Sequence, residues 1–413
     1  MDRESIAGLR GQPGYRAFIS AATLARVADE MFSVGVVLLV LDRTGSAALA
    51  GATVAAVTLP SLVTGPLLGA WLDLTGRRRS LMIFDQIAIS GSVLGILLLA
   101  GNGPDITLPL VALVAGLTYP LSFGGFTSLI PLIVPDRLLA PANALEVSSF
   151  NSALIVGPAL AGTLSAVVGP GAPLVVEIVL SLAALGLILL IPDLDRKGKA
   201  AHAESSLIGV AATGLRLIAS VPQLRGVTLT GALGLSGLGL LVVGFPFFAV
   251  DHLEVERGAA GYLWGAFALG SMLGALTLVR LQARFRPERI VVASVASFGA
   301  LMLLWPLQTS LPVMLAVVAI AGFVDGPGLA ATFAARQRYV PQELHGQVFT
   351  TAAGLKVGAF SLGSAAAGPL VVGIGSKGAL FVAAGVQFVA AGLGLLLMRE
   401  RSGEPAAGRF ASR

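Results

Sequence analysis

Residues 65–79 read GPLLGAWLDLTGRRR, an apolar run that ends in one acid, one glycine and three consecutive arginines. The beginning of this stretch recurs in the second half of the chain as GSMLGAL, residues 270–276, and a basic segment follows there as well. Because the chain has 413 residues, almost half of its length separates the two copies. The spacing indicates a duplicated chain in which residues 65–79 close one apolar segment and form the loop after it.

The composition is typical of a membrane protein. Hydrophobic residues make up 55% of the chain, charged residues make up 12%, and the mean hydropathy is +0.88. Soluble globular proteins carry about 25% charged residues, whereas apolar runs along the whole length are typical of helical proteins that cross the bilayer many times. The net charge of +5 does not indicate nucleic-acid binding, because the basic residues lie in short loops between apolar segments.

Metal sites, cofactors and ATP are not indicated by the sequence. The chain has no cysteine, and its three histidines, His202, His252 and His345, are widely separated. No phosphate-binding Walker loop is present, which argues against ATP as the energy source. We therefore expect a protein without enzymatic activity, cofactor or metal, and with no feature that calls for an oligomer rather than a monomer.

Twelve apolar segments have the length of about 20 residues that a membrane-spanning helix needs. They run over residues 16–41, 48–72, 80–101, 105–131, 143–168, 173–192, 224–250, 258–281, 289–308, 311–335, 346–372 and 376–398. A polar connection separates the sixth segment from the seventh, and its Leu207–Leu217 stretch could form a surface helix. The sequence predicts an all-α membrane protein with a six-helix bundle in residues 1–192, a cytoplasmic linker in residues 193–221 and a second six-helix bundle in residues 222–413.

The basic residues predict the orientation in the membrane. Nearly all of the 27 Lys and Arg residues lie in the termini, in the linker or in the loops after the even-numbered segments. The loops on the opposite side contain only Arg43, Arg257 and Lys377. Because cytoplasmic loops carry an excess of Lys and Arg, we expect both termini to be cytoplasmic in a multi-pass protein of the inner membrane.

Further sequence pairs extend the internal repeat. Ala115-Gly116 returns as Ala321-Gly322, and Gly157-Pro158 of the fifth segment returns as Gly368-Pro369 of the eleventh. An even number of spans repeated in tandem keeps the same topology, so the two halves are predicted to be parallel repeats. Parallel repeats that work by alternating access are a design of secondary transporters.

Three motifs resemble those of the major facilitator superfamily, and the resemblance covers essentially the whole chain. The stretch from Gly69 to Arg79 is similar to the signature of the loop between helices 2 and 3. The sequence GPALAG, residues 157–162, is similar to the glycine-proline motif of drug:proton antiporters. Ala28-Asp29-Glu30, followed by LDRTGSA at residues 41–47, resembles the bacterial multidrug and macrolide exporter branch. The resemblance implies twelve helices in two parallel six-helix repeats.

The same resemblance implies residues that control gating. Asp73, at the end of helix 2, is expected to contact the facing half near the N-terminus of helix 11 and to stabilise the outward-open state. Small residues allow close helix approach, and Pro158 adds flexibility to helix 5. The gating candidates are Gly69, Asp73, Gly76, Arg77, Gly157, Pro158 and Gly162; routine helix packing remains an alternative for the last three.

Charged residues inside a bilayer cost about 2.5 kcal/mol or more each and mark function by default. The densest group is Arg26, Asp29 and Glu30 in helix 1, whose spacing lets both acids reach the arginine from one helical face. We predict that these three residues couple transport to protons. The alternative is an Arg26–Glu30 pair that only neutralises itself. Glu146, in helix 5, is expected to pair with arginines of the loops.

Candidate substrate-binding residues are mostly aromatic. Glu177, in helix 6, either contacts cationic substrates or reaches the membrane interface, and Asp325 and Lys356 form a pair that either faces the substrate or joins helices. The candidates are Tyr119, Phe123, Phe126, Asn151, Glu177, Phe245, Asp325, Lys356 and Phe360. Together they favour a hydrophobic or amphipathic substrate over a sugar.

The predicted function is secondary active export of lipophilic, cationic, drug-like compounds by proton antiport, which would confer antibiotic resistance. The partners are then the transported molecule, protons and the lipid bilayer. Two alternatives remain open. One is a dedicated exporter or flippase of a single natural product or lipid that does not require protons, and the other is a non-transporting membrane receptor or assembly factor.

Overall fold

The computed structural model describes residues 8–75, 77–121, 126–192, 207–278, 284–340 and 345–398. Over these ranges the regular structure is α-helix with two short 3₁₀ turns, and these ranges contain no strand. In the first half the helices are α1 Tyr15–Thr44, α2 Ala47–Thr58, α3 Ser61–Thr75, α4 Arg78–Leu99, α5 Thr107–Thr118, α6 Phe126–Ile133, α7 Leu139–Val167 and α8 Ala172–Leu190.

The second half begins with α9 in the predicted linker. Its helices are α9 Leu207–Ser220, α10 Pro222–Asp251, α11 Ala259–Thr277, α12 Pro287–Met302, α13 Leu311–Tyr339 and α14 His345–Met398. Gly375 interrupts α14 with φ 75° and ψ 167°, a backbone conformation that is open to glycine and very costly for other residues. The interruption falls between the predicted eleventh and twelfth segments.

All twelve predicted segments contain helix, and their ends differ from the prediction by a few residues. Pro60 has no N–H group and separates α2 from α3 within the predicted second segment. The predicted fourth segment divides into α5 and α6, and the predicted surface segment of the linker is helical as α9. Nine helices of the described ranges are long and apolar enough to cross a membrane; twelve crossings and two cytoplasmic termini stay predictions.

The distribution of side chains is that of a membrane protein. Large apolar side chains cover the outside of the bundle, and Val372 and Leu190 are 76% and 70% exposed. Charged side chains lie inside, and Arg26 is among the largest fully buried residues. This arrangement suits a molecule whose outer surface faces lipid, because ionisable groups within a bilayer turn toward the interior of the protein.

Within each half the helices pack on neighbours from the same half. The first helix, α1, contacts α7 and α8, and α10 packs along α14. Residues from one end of α1 contact the opposite end of α8, since a Cβ at Gly35 would lie 2.8 Å from Leu174 while Gly14 contacts Pro192. The two helices are therefore antiparallel neighbours.

Two of the contacts between the halves in the described residues are lined by glycine and lie at the predicted outer end, and we call these two the outer seam. In the first contact, between α2 and α14, a Cβ at Gly51 would overlap the carbonyl oxygen of Ser364, and a Cβ at Gly368 would overlap that of Ala47. Only glycine therefore fits at these two positions without a shift of the backbone.

The second contact of the outer seam joins α7 to α11. A Cβ at Gly162 would overlap the carbonyl oxygen of Gly258, and a Cβ at Gly261 would overlap that of Pro158. The hydroxyls of Thr163 and Tyr262 are hydrogen-bonded at 2.9 Å beside these glycines. The glycine-proline motif at residues 157–162 thus lies in a contact between the halves.

A buried side-chain hydrogen bond ties the halves at mid-length. The Ser361 hydroxyl donates to the Thr58 hydroxyl over 2.7 Å, and both residues are buried. We expect Ser361→Ala to lower the free energy of unfolding by about 1 kcal/mol, measured by thermal unfolding in detergent. Ser236→Ala is the control, because the Ser236 hydroxyl bonds within its own helix; equal losses in the two variants would contradict a tie between the halves.

Candidate functional site

The predicted coupling residues lie in the middle of α1, the longest helix of the first half. Arg26 and Asp29 are 1% and 4% exposed, and Glu30 is half-buried. A helix places positions i, i+3 and i+4 on one face, which turns these residues toward the helices that pack on α1. The bundle therefore holds three ionisable groups of one helix within its interior.

Arg26 forms its ion pair with Glu146 of α7. Its Nη2 contacts Oε1 of Glu146, and its Nη1 donates to the Glu146 backbone carbonyl over 3.3 Å. The guanidinium also lies 5.9 Å from the centre of the Phe150 ring. One turn away on each helix, the hydroxyls of Thr23 and Ser149 are hydrogen-bonded at 2.8 Å. The two helices run parallel, so the Arg26 side chain extends along α7 past this hydrogen bond to reach Glu146.

This ion pair corrects two expectations. The predicted partners of Glu146 were loop arginines, and the alternative partner of Arg26 was Glu30. Both were wrong as the main ion pair because they relied on neighbours in sequence, whereas the pair forms between two helices far apart in the chain. A lone acid inside an otherwise apolar segment was the only sequence signal for the role of Glu146.

Glu30 lies directly against the glycine-proline motif. A Cβ at Gly157 would lie 2.6 Å from the Glu30 Cβ and 3.1 Å from the backbone nitrogen of Met31. Gly157 and Pro158 are both buried. The predicted gating glycine therefore allows α7 to approach the predicted coupling acid, and the structure brings these two sets of candidates together.

Glu177 of α8 joins the same region. Its side chain is 1% exposed, and within the described part of the chain neither carboxyl oxygen has a hydrogen-bond partner. Glu177 lies one turn beyond Leu174, the residue that faces Gly35, which places it within about one turn of Asp29 in the antiparallel α1. Glu177 and Asp29 are close enough for their charges to interact.

Tyr119, the residue after α5, completes the group. Its hydroxyl interacts electrostatically with Glu30, Asp29 and Glu177, so side chains from three parts of the first half converge. We call Asp29, Glu30, Tyr119 and Glu177 the acid cluster. Low dielectric penalises several negative charges at such short range, and an arrangement of this kind favours the uptake of protons or cations.

The second half holds the other predicted charged pair. Asp325 of α13 and Lys356 of α14 are half-buried, and their charges interact. The Lys356 stem packs on α10, where a Cβ at Gly231 would lie 3.2 Å from Cε and 3.5 Å from Nζ. Lys356 thus packs on α10 while its charge interacts with that of Asp325, and the function predicted for the two residues stays a prediction.

Two candidate aromatic residues belong to the packed core. Phe126 is fully buried with its ring 6.2 Å from that of Phe18. Phe245 is 1% exposed, with the rings of Trp264 and Trp305 at 5.4 and 5.6 Å. Neighbouring side chains enclose both rings in this conformation, and their contact with substrate stays a prediction. Among the other polar and aromatic candidates, Asn151 and Phe360 are half-buried, and Phe123 lies outside the described residues.

The loop motif is described only in part. Gly69 and Asp73 lie in α3, while the Asp73 side chain and all of Gly76 fall outside the described part of the structure. Arg77 is exposed and immediately precedes α4. The contact of Asp73 with the facing half stays a prediction.

Comparison with known proteins identifies the family. Residues 18–350 match the family model of the Major Facilitator Superfamily. The chain belongs to this superfamily. It is 31% identical over 406 residues to an uncharacterised MFS-type transporter, y4rN, of Sinorhizobium fredii, covering 96% of this chain and 98% of that one. It is also 31% identical over 395 residues to the multidrug efflux pump Tap of Mycobacterium tuberculosis, covering 90% of each chain.

Solved structures show the same fold. The nucleoside transporter NupG aligns with a TM-score of 0.72 at 13% identity over 93% of this chain and 100% of that one. An inward-facing bacterial homologue of the iron transporter ferroportin aligns with a TM-score of 0.69 at 17% identity over 93% and 98%. This superfamily member is therefore a multi-pass membrane transporter, not an enzyme.

Proposed function

We propose that this transporter exports lipophilic cations from the cytoplasm across the inner membrane in exchange for protons. The observation that carries the proposal is the acid cluster, which places three carboxyl groups inside a membrane-spanning bundle. The multidrug efflux pump Tap, similar over 90% of this chain, supports a drug-like substrate. Carboxylates attract cations, and burial lets them exchange a cation for a proton.

The proposed cycle uses the two halves as rigid bodies. With both termini cytoplasmic and the outer seam closed, the transporter is open to the cytoplasm, where a cation approaches Asp29 and Glu30 and a proton leaves. Opening of the outer seam exposes the cation to the outside, and protonation of the acids releases it. Arg26, held by Glu146, fixes the position of the acids on α1 and limits their total negative charge.

The remaining candidates fit around this site. The half-buried Tyr119, Asn151 and Phe360 offer apolar surface with a few polar atoms, which suits lipophilic compounds. Asp325 and Lys356 form a neutral pair in the facing half. We propose that a single chain is the functional unit, with Asp73 and its neighbouring motif residues controlling the opposite, cytoplasmic end.

Proton release on substrate binding tests this proposal. Ethidium or tetraphenylphosphonium added to the purified protein in weak buffer should release protons, because the bound cation replaces them at the acid cluster. We expect Asp29→Asn combined with Glu30→Gln to abolish the release, measured with a pH-sensitive dye.

The control is Asp42→Asn, which removes an exposed acid from the same helix and should leave the release unchanged. An unaltered proton signal in the Asp29/Glu30 variant would contradict the assignment. Binding without release in the wild type would favour a dedicated exporter or flippase that does not use protons. No binding of either cation would contradict the proposed substrate class.

A further inference from the structure

Glu177 is a buried carboxyl group whose two oxygens have no hydrogen-bond partner in the described part of the chain. Glu146 is paired with Arg26, and Glu288 accepts a hydrogen bond of 3.1 Å from the Tyr339 hydroxyl. Glu177 is buried more completely than either of them, and in the described part of the chain it has no hydrogen-bond partner. A carboxylate buried without a partner costs several kcal/mol, so such a group takes up a proton instead.

The helices around α8 bring no cation to pair with Glu177 in the described residues. The side that faces α1 presents Asp29, whose charge acts on Glu177 directly. Arg26 is on the same helix, but its ion pair is with Glu146 of α7. The titratable or charged groups near mid-length on the elements around Glu177 are Arg26, Asp29, Glu30, Asp85, Tyr119 and Glu146. Those nearer the ends of α1 and α4 are Tyr15, Arg16, Asp42, Arg43, Arg78 and Arg79.

Burial also separates Glu177 from the substrate. At 1% exposure its carboxyl group cannot contact a bulky lipophilic cation in this conformation, whereas the half-buried Glu30 of the same cluster is accessible. Glu177 can still respond to a cation at Asp29 and Glu30, because its charge interacts with that of Asp29 and a medium of low dielectric strengthens such interactions.

We propose that Glu177 carries the proton that is exchanged for the substrate, with Asp29 as its path to water. In the substrate-free, cytoplasm-open state Glu177 is a neutral carboxylic acid. When a cation binds beside Asp29 and Glu30, the O–H bond of Glu177 breaks, the proton passes through Asp29 to water, and the cation balances the new carboxylate. This inference rests on the proposed function and changes the role of Glu177 from a substrate contact to a proton carrier.

The test compares Glu177→Gln with the wild type and with Glu288→Gln, a control that neutralises a buried acid outside the site. Exchange of one proton for one cation strengthens ethidium binding about tenfold for each pH unit. We expect the wild type and Glu288→Gln to show this dependence and proton release. Glu177→Gln should bind ethidium with an affinity that does not change with pH and without proton release. Glu177→Asp keeps an acid and should retain the release.

Infrared spectroscopy of the ligand-free protein gives a readout that does not depend on transport. The wild type should show the carbonyl band of a protonated carboxylic acid, and Glu177→Gln should lose it. Proton release and a protonated-acid band that are both unchanged in Glu177→Gln would overturn the inference while leaving the proposed function intact. Ethidium binding without proton release in the wild type would overturn the proposed function, and the exchange assigned to Glu177 with it.

Discussion

Gly261→Leu should strongly reduce export while leaving the protein folded. Any side chain at this position meets the Pro158 carbonyl of α7, so the outer seam cannot close. Forcing a larger residue into a packed contact costs about 1–3 kcal/mol, occasionally more. A bias of this size shifts the equilibrium between two conformations about 5- to 150-fold. The expected population is therefore predominantly open to the outside, and ethidium efflux from cells should fall by a similar factor.

The shift toward the outward-open conformation can be measured by labelling one introduced cysteine, because the chain itself contains no cysteine. In an Ala159→Cys background the thiol lies in the α7–α11 contact, since Ala159 is the neighbour that a Cβ at Gly265 would meet at 3.5 Å. We expect Gly261→Leu to increase labelling of this thiol by a membrane-impermeant maleimide added outside intact cells.

Gly385→Leu is the matched control for this experiment, because a Cβ at Gly385 meets no atom within 4 Å. It should transport and label like the unmodified background. Normal efflux by Gly261→Leu, together with unchanged labelling of the Ala159→Cys thiol, would show that the seam does not open during transport.

Arg26→Met should destabilise the protein strongly. The substitution leaves the Glu146 carboxylate buried without the cation that contacts it. Loss of one partner of a buried ion pair costs about 3–5 kcal/mol. We expect a large fall in the unfolding temperature in detergent and a reduced yield of folded protein.

The double variant Arg26→Met with Glu146→Leu should recover most of this stability, because replacing both charges with apolar groups of similar size is often neutral. Arg43→Met is the control for loss of an arginine from α1. Arg43 is exposed and donates to the Leu97 and Ala100 carbonyls over 3.0 and 3.3 Å, so its loss should cost about 1 kcal/mol. A double variant as unstable as Arg26→Met would contradict the pairing.

The residues predicted to couple protons and those predicted to control gating lie next to each other in this transporter. Glu30, a predicted coupling residue, lies against Gly157. The adjacent Pro158 and, just over one turn further along α7, Gly162 contact α11. A change of charge at Glu30 therefore occurs next to the helix that forms half of the outer seam. Opening of the seam displaces α7, which changes the surroundings of the same acid. This proximity is a physical basis for linking protonation to alternating access.

The sequence alone determined the family, the helical segments and the position of the charged residues that are candidates for function. Segment length and composition define a membrane-spanning helix because the backbone must satisfy its hydrogen bonds within the segment. Interruptions follow from local chemistry, as at Pro60, which has no N–H group, and at Gly375, which adopts a conformation very costly for other residues. A charged side chain within the bilayer has a high free-energy cost. The sequence alone therefore identifies Arg26, Asp29 and Glu30 as candidates for function.

Only the tertiary structure decided which of these residues meet. Ion-pair partners were predicted from neighbours along the chain, but Arg26 pairs with Glu146, 120 residues away. In the same way, Phe126 and Phe245 were candidates by residue type and are core residues by position. The role proposed for Glu177 depends on its burial and on its interaction with Asp29 of another helix. The physical reason is that a helix fixes the spacing of its own side chains, whereas contacts between helices depend on how whole helices pack, and no local sequence pattern contains that information.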